Sequence, residues 1–361
     1  MASYIFRRLL LMVPTLFGIL VVSFTVVQFT PGGPIETIIS RLEGDALTPS
    51  ARISGAVVTP AASGTAESLY RGAQGIDPEF LEKLEIQFGF DKPVHERFLK
   101  MTWDYVRFDF GESYFRSASV TDLILERLPV SLSLAVWSTL LIYLVSIPLG
   151  IHKAVADGSR FDVWSSALVV GAYAVPGFLL AVFLIVIFAG GSYLNWFPLR
   201  GIVSDNWGDL SFSGKVGDYF WHLVLPILSY AIGGFATLTL LTKNSFLDEI
   251  GKQYVLTARA KGLSENRVLY GHVFRNAMLI VIAGFPMAFF EVLVSGALLI
   301  ETVFSLNGIG LLSYDAIVSR DYPVLFGTLF IFSLASLVIS LITDVVYTLV
   351  DPRISFDRVG S

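Results

Sequence analysis

The polar chemistry of this 361-residue chain is concentrated between Lys243 and Asn276, where Lys243, Lys252, Arg259, Lys261, Arg267 and Arg275 share one stretch flanked by apolar runs. Its centre reads Tyr254-Val-Leu-Thr-Ala-Arg-Ala-Lys-Gly262-Leu-Ser-Glu-Asn-Arg-Val-Leu-Tyr-Gly-His272-Val-Phe-Arg275-Asn276. Cations interleaved with small residues suit a surface that another protein grips, and a connection longer than about a dozen residues usually does more than connect. Leu256, Ala260 and Leu263 fall on one side of a short helix; Gly262 can supply the positive φ that ends it, and Ser264 can cap a second helix running toward His272. Two short helices joined at a glycine make a compact knob. From these residues alone, docking and plain loop packing are served equally.

Two carboxylates stand in otherwise apolar segments. Glu291 is the deeper by sequence, and Asp344 lies nearer a segment end. An intramembrane charge costs several kcal/mol unless paired or wet, so each is a functional candidate by default. Glu291 either faces a polar path through the membrane, where it can meet a cationic group, or bonds a neighbouring helix or another chain. Asp344 reads as a helix-end anchor for a basic residue. His272 and Arg275 sit where the polar stretch re-enters the apolar run, so local capping and contact with a partner compete there.

Other chemistry is excluded by what is missing. There is no Gly-x-x-x-x-Gly-Lys-[Ser/Thr] loop to cradle nucleotide phosphates, no His-Glu-x-x-His helix and no Gly-x-Ser-x-Gly elbow. Cysteine is absent, which removes disulfides and thiolate sites, and the four histidines are far apart in sequence. The chain is therefore expected to be no enzyme, to bind no cofactor or metal, and, with a formal charge of −5 and no basic face, to bind no nucleic acid.

The elements that position these residues are membrane helices. Hydrophobic residues make up 54% of the chain and mean hydropathy is +0.68, against roughly 45–50% apolar in soluble domains. Runs near the roughly 20 residues that a span needs lie at Leu9 to Phe29, Leu132 to Ile151, Trp164 to Ala189, Trp221 to Leu241, Met278 to Ile300 and Pro323 to Val350. An all-α membrane protein with six transmembrane helices is expected. The first run, preceded by Arg7 and Arg8 and followed by Phe-Thr-Pro-Gly-Gly-Pro, reads as an uncleaved anchor with its N-terminus in the cytoplasm rather than a signal peptide or twin-arginine signal. Lys153, Arg160, the six cations of the polar stretch, Arg353 and Arg358 then fall on the inner side, against Arg200, Lys215 and Arg320 on the short outer connections. Trp196, Trp207 and Trp221 are candidate interface anchors.

Five regions are expected: residues 1–30 as N-terminus and first span, 31–130 as a periplasmic domain, 131–350 as a core of five spans containing the cytoplasmic loop 243–276, and 351–361 as a cytoplasmic tail. Within the outer domain, residues 50–75 are rich in Ala, Ser, Gly and Thr and read as a flexible insertion. Asp77-Pro78 offers a helix start, and Val94, Phe98, Met101, Tyr105 and Phe108 recur at helical spacing on a face that needs a partner surface.

Thr257-Ala-Arg-Ala-Lys-Gly-Leu263 followed by His272-Val-Phe-Arg-Asn-Ala277 resembles the cytoplasmic coupling loop of ATP-binding-cassette importer permeases of the dipeptide/oligopeptide branch. Leu256 and Thr257 stand where the general family begins Glu-Ala, a departure common in that branch. The resemblance extends along the chain: Arg7-Arg-Leu-Leu-Leu, Thr30-Pro-Gly-Gly-Pro34, Phe90-Asp-Lys-Pro-Val94, Gly111-Glu-Ser-Tyr-Phe-Arg116, Glu126-Arg-Leu-Pro-Val-Ser131, Glu301-Thr-Val-Phe-Ser305, Gly308-Ile-Gly310, Arg320-Asp-Tyr-Pro-Val324, Asp344 and Asp351-Pro-Arg353. Together these are similar to the B-type permease subunit, and the insertion at 50–75 is similar to the subtype implicated in uptake of microcin C and longer peptides.

The resemblance implies a type I ABC importer permease fold in the bacterial inner membrane, with both termini cytoplasmic. It implies a homologous C-type permease as heterodimer partner, two ATPase subunits or one fused ATPase carrying ATP and Mg, a periplasmic peptide-binding protein, and peptides as cargo. It assigns Leu256, Thr257, Ala258, Arg259, Ala260, Lys261, Gly262, Leu263, His272, Arg275 and Asn276 to ATPase coupling, and leaves Glu291 and Asp344 as pathway or intersubunit candidates. Competing readings are a permease for nickel or another solute, an ion-coupled secondary transporter, which calls for paired mid-membrane acids and matching halves, and a non-transporting scaffold.

Overall fold

The computed structural model describes residues 2–29, 92–190, 193–295 and 297–350. The insertion at 50–75, the Asp77-Pro78 helix start, the Thr30–Pro34 and Phe90–Asp91 stretches and the tail from Asp351 lie outside the described residues. The elements in order are α1 (Ala2–Phe29), α2 (Val94–Val106), α3 (Val120–Val155), α4 (Arg160–Tyr173), α5 (Gly177–Phe188), α6 (Phe212–Ile250), α7 (Gln253–Ala260), α8 (Glu265–Val268), a π-helical turn (Leu269–Val273), α9 (Phe274–Ser295), α10 (Ala297–Val303), α11 (Ile309–Ser319) and α12 (Tyr322–Val350). Apart from an isolated bridge between Glu112 and Ser119, the described residues pair no strands.

Five helices among the described residues are long and apolar enough to cross a membrane, in and around α1, α3, α6, α8–α9 and α12. A sixth crossing is available if α4 and α5 count as one span, bent by 91°. The bend falls at Pro176, which has no N–H to continue the ladder and disfavours helical backbone at Val175. The expected third span is thus two helices. Inside lipid the backbone must satisfy itself, which is why the remaining spans are helical along their length.

The chain divides into two compact units. The larger comprises described residues 2–12, 124–314 and 331–350; the smaller comprises 13–29, 92–123 and 315–330. In the larger unit, one core cluster joins Ile142 and Ile151 of α3, Ala231, Leu238 and Phe246 of α6, and Ala277, Met278 and Val281 of α9. A second joins Leu134, Ala181, Leu223, Leu225, Ile300, Phe304 and Leu306. α3 and α6 approach closely because small residues line the crossing: a Cβ on Gly150 would stand 2.6 Å from Thr242 Cβ and 2.8 Å from the Thr239 carbonyl oxygen.

In the smaller unit, the Phe98 ring of α2 sits edge-on to Phe17 and Phe24 of α1, at 5.7 and 5.2 Å. Tyr105 meets Phe110 and Phe330 at 5.0 and 5.4 Å. The expected helical stripe therefore packs through Phe98 and Tyr105, and Phe108 lies beyond the helix with φ +60°.

Gly150→Ala is expected to lower stability by about 2 kcal/mol through overpacking, since a backbone oxygen cannot retreat, and despite the better helix propensity of alanine. Gly171→Ala in α4, where nothing lies within 4 Å of the added methyl, is the control and should hold or raise the melting temperature in detergent. Equal melting of the two variants would contradict this packing.

Candidate functional site

The polar stretch is hung on the larger unit by one buried face. In α7, Val255 and Ala258 are buried and share a cluster with Phe246 of α6, Ile151 and Ala154 of α3, and Val268 and Val273 beyond the glycine. Leu256, Thr257, Arg259, Ala260 and Lys261 point outward, Leu256 being 53% exposed. The side of the helix that carries Leu256 and Ala260 is thus the exposed one. β-Branched Val255 and small Ala258, three apart, fit the inner side, and the larger leucine is left outside.

The glycine behaves as its residue type requires. Gly262 has φ +77°, its N–H donates to the Arg259 carbonyl, and the Leu263 N–H donates to that of Ala258. These two bonds are the Schellman arrangement that closes a helix on a left-handed residue. Ser264 holds the extended N-cap conformation of α8, but its side chain accepts no capping bond. Across the turn, Arg259 Nη2 lies 3.0 Å from Glu265 Oε2. Both groups are exposed, so the pair contributes little energy and serves mainly to fix an angle.

At the other end of α7, Glu249 accepts from Lys252 and from the Tyr254 hydroxyl, the latter at 2.7 Å. Burial, seconded by the bond to Glu249 and opposed by one from Asn276, raises the Tyr254 pKa above its ordinary value, so the phenol remains a donor. His272 lies in the π-helical turn that leads into α9; it, Arg275 and Asn276 are exposed, while Val273 and Ala277 are buried. A π-turn inserts an extra residue into a helix and rotates the segment beyond it, here the entry to a span.

Behind the loop lies a charge cluster that sequence reading missed. Lys153, with no exposed surface, places Nζ 3.0 Å from Asp162 Oδ1 and donates to the Asp162 carbonyl and to the Ser165 and Ser166 hydroxyls. Lys243, at the head of the polar stretch, meets the other Asp162 oxygen at 2.7 Å and Asp157 Oδ1 at 2.8 Å. α3, α4 and α6 are thereby pinned together. Lys153 and Lys243 look in sequence like ordinary topology-setting cations. The available signal was the spacing of Lys153 from Asp162, with two serines soon after.

The two acidic candidates separate. Glu291 occupies an exposed position on α9. Asp344 accepts from Tyr4 at 2.8 Å and pairs with Arg8 at 2.8 Å, which places it as a helix-end anchor within the chain. Among the described residues Glu301 is a carboxylate with no exposed surface. Its Oε1 accepts from Ser131 at 2.8 Å, its Oε2 from the Leu311 N–H at 2.8 Å, and Ser131 in turn accepts from the Ile309 N–H. Glu301 and Ser131 thus cap the start of α11, where the exposed dipole end favours negative charge. A side chain at Gly308 would collide with that carboxylate.

A family profile described as the inner membrane component of binding-protein-dependent transport systems matches residues 146–356. The chain is 59% identical over 99% of both lengths to a peptidoglycan transport system permease protein YejB of Agrobacterium fabrum. It is 58% identical to an inner membrane ABC transporter permease protein YejB of Escherichia coli O157:H7, over 99% of this chain and all of that one. An oligopeptide transport system permease protein AppB of Bacillus subtilis is 33% identical over 99% of this chain and all of that one. Among solved structures, the MetNI methionine ABC transporter is similar with a TM-score of 0.50 at 14% identity, over 64% of this chain and 97% of the other, a likeness of fold.

Asp162→Asn leaves Lys153 buried without its countercharge and is expected to cost about 3 kcal/mol, read as a fall in thermal stability in detergent. Adding Lys153→Met should recover most of that loss, because removing both charges also removes the desolvation penalty. A double variant no better than the single one would contradict the pairing.

Proposed function

The chain belongs to the family of binding-protein-dependent transport system inner membrane components, and from that premise we propose that it is the B-type permease subunit of an ATP-driven importer of peptides. The observation that carries the reading is the two-sided loop: the outward side of α7 is free in this chain to meet a partner, while its inner side is packed into the same cluster that holds α3, α6 and α9 together. A displacement applied to Leu256, Thr257, Arg259, Ala260 and Lys261 reaches the spans through Val255, Ala258, Val268 and Val273.

The chain has no phosphate-binding loop, so the nucleotide chemistry belongs to ATPase subunits that bind ATP and Mg. Those subunits grip this loop and its counterpart on a homologous C-type permease, and a periplasmic binding protein delivers cargo to the opposite side. Gly262, Leu263, His272, Arg275 and Asn276 shape the receiving surface. Alternating access then requires only that docking energy differ between the outward-facing and inward-facing states, because a partner binding both equally shifts nothing. The clustering of cations in and around the loop supports an inward-facing loop with both termini in the cytoplasm.

The cargo is a peptide or a conjugate containing one, including the microcin C class. The name of the Agrobacterium relative favours a second cargo reading, peptide-bearing fragments of peptidoglycan. Competition between a labelled oligopeptide and such a fragment for uptake by the reconstituted importer separates the two.

Gly262→Pro cannot adopt φ +77°, and Gly262→Trp strains the same turn. Both are expected to abolish peptide uptake and substrate-stimulated ATP hydrolysis by the reconstituted importer while the spans remain inserted. Normal uptake by either stably inserted variant would contradict the coupling role. Uptake that fails on collapse of the proton gradient, with ATP held constant, would instead favour an ion-coupled mechanism.

A further inference from the structure

We propose that α2 is an interfacial helix whose free apolar stripe, Leu99, Trp103 and Val106, lies in the phospholipid of the outer leaflet at the boundary between headgroups and acyl chains. Taken at 100° per residue from Val94, the helix has three sectors rather than two. Phe98, Met101 and Tyr105, at roughly 40°, 340° and 20°, form the sector that packs against the chain. Leu99, Trp103 and Val106, at roughly 140°, 180° and 120°, form a second apolar sector, yet they are 64%, 57% and 61% exposed. Glu96, Lys100, Asp104 and Arg97, with Arg107 just past the helix end, make a polar sector centred at roughly 250°.

Packed chain, lipid and headgroup layer are the three surroundings of a helix lying at a bilayer edge against a bundle. Between the two apolar sectors, the Thr102 hydroxyl donates to the Phe98 carbonyl at 2.8 Å, so this polar group is satisfied within the helix. His95, in the first turn, is the ionisable neighbour on that side. The Arg107 guanidinium lies over the Trp103 indole, 4.4 Å from its centroid. An indole at headgroup level with a cation stacked on it is the usual arrangement of an interface anchor.

Depth along the spans agrees. At about 1.5 Å per residue, Phe17 and Phe24 lie about 18 and 8 Å below the end of α1 at Phe29, and Phe330 about 12 Å below the start of α12 at Tyr322. The α2 rings that touch them, Phe98 and Tyr105, are therefore nearly level, some 12–13 Å below the span ends, so α2 runs along the bilayer plane rather than across it. The assignment to the outer leaflet rests on the orientation proposed above; the lipid contact does not.

The test uses the complete importer in nanodiscs of phosphatidylethanolamine and phosphatidylglycerol, with bromine placed either near the headgroup or near the end of the acyl chain. Trp103 emission is isolated as the difference between wild type and Trp103→Phe. Loss of most of that emission with shallow bromine, and less with deep bromine, is expected. Emission unchanged by either lipid overturns the proposal, as it would if a sister permease or binding protein covered the stripe. Because this chain has no cysteine, Lys100→Cys gives it a single site for an impermeant maleimide, applied to right-side-out cells and to inverted membrane vesicles and read on this chain. Labelling from the outer side supports the leaflet assignment; labelling only from the inner side alongside shallow quenching overturns the orientation and leaves the lipid contact standing.

Discussion

Val255 has no exposed surface, and the whole mechanical reading depends on where it is buried. A short helix of the length of α7 is too small to be stable alone, so its order comes from packing. That packing is made on Phe246, Ile151 and Val268, residues that also hold α3, α6 and the entry to α9. Because protein interiors are close-packed, such a contact transmits displacement rather than absorbing it. The loop is therefore an extension of the transmembrane core, with one side exposed.

Elsewhere the structure is organised by polar groups that must find partners once withdrawn from water. Stretches far apart in sequence meet for that reason. Ser131, at the end of Glu126-Arg-Leu-Pro-Val-Ser131, bonds Glu301, and both hold the N–H groups that open α11 beside Gly308-Ile-Gly310. Within the smaller unit, Ser113 and the Tyr114 N–H bond Asp321, and Arg116 pairs with Asp315 at 2.8 Å, which joins Gly111–Arg116 to the turn before α12. Arg8 and Asp344 close a third pair.

Much of this was legible before the fold was known. Apolar run length placed the spans, and the tightness of the turn followed from Gly262 in a helical pattern. What periodicity could not decide was which side of α7 packs, because Leu256, Ala260 and Leu263 satisfy helical spacing as well as Val255 and Ala258 do. Composition could not show the break at Pro176, since a proline in an apolar run is compatible with a kinked span or with two helices. Depth in sequence also misled. Glu291 stands further inside an apolar run and is exposed, yet Glu301, just beyond it, is fully buried, because burial depends on the packing of α10 and α11 rather than on distance from the nearest loop.

The cluster of Lys153, Asp162 and Lys243 bears on the coupling proposed above. A buried ion pair seldom adds net stability over apolar residues of the same volume, so its presence is better explained by register. Sliding α6 by one turn would carry Lys243 about 5.4 Å from Asp162 and leave a charge in a poorly solvated place. Together with the close approach at Gly150, this makes α3, α4 and α6 a block that resists shear at its loop end. Under the proposed coupling a push on α7, which comes after α6 with only Gly251 and Lys252 between, would reach that block directly. The helical ladder is interrupted at Pro148 in α3 beside the cluster, at the π-helical turn that leaves the loop, at the 91° break before α5, at Pro226 in α6 and at Pro286 in α9, and these are the places where the helices can bend while the charge cluster holds its register.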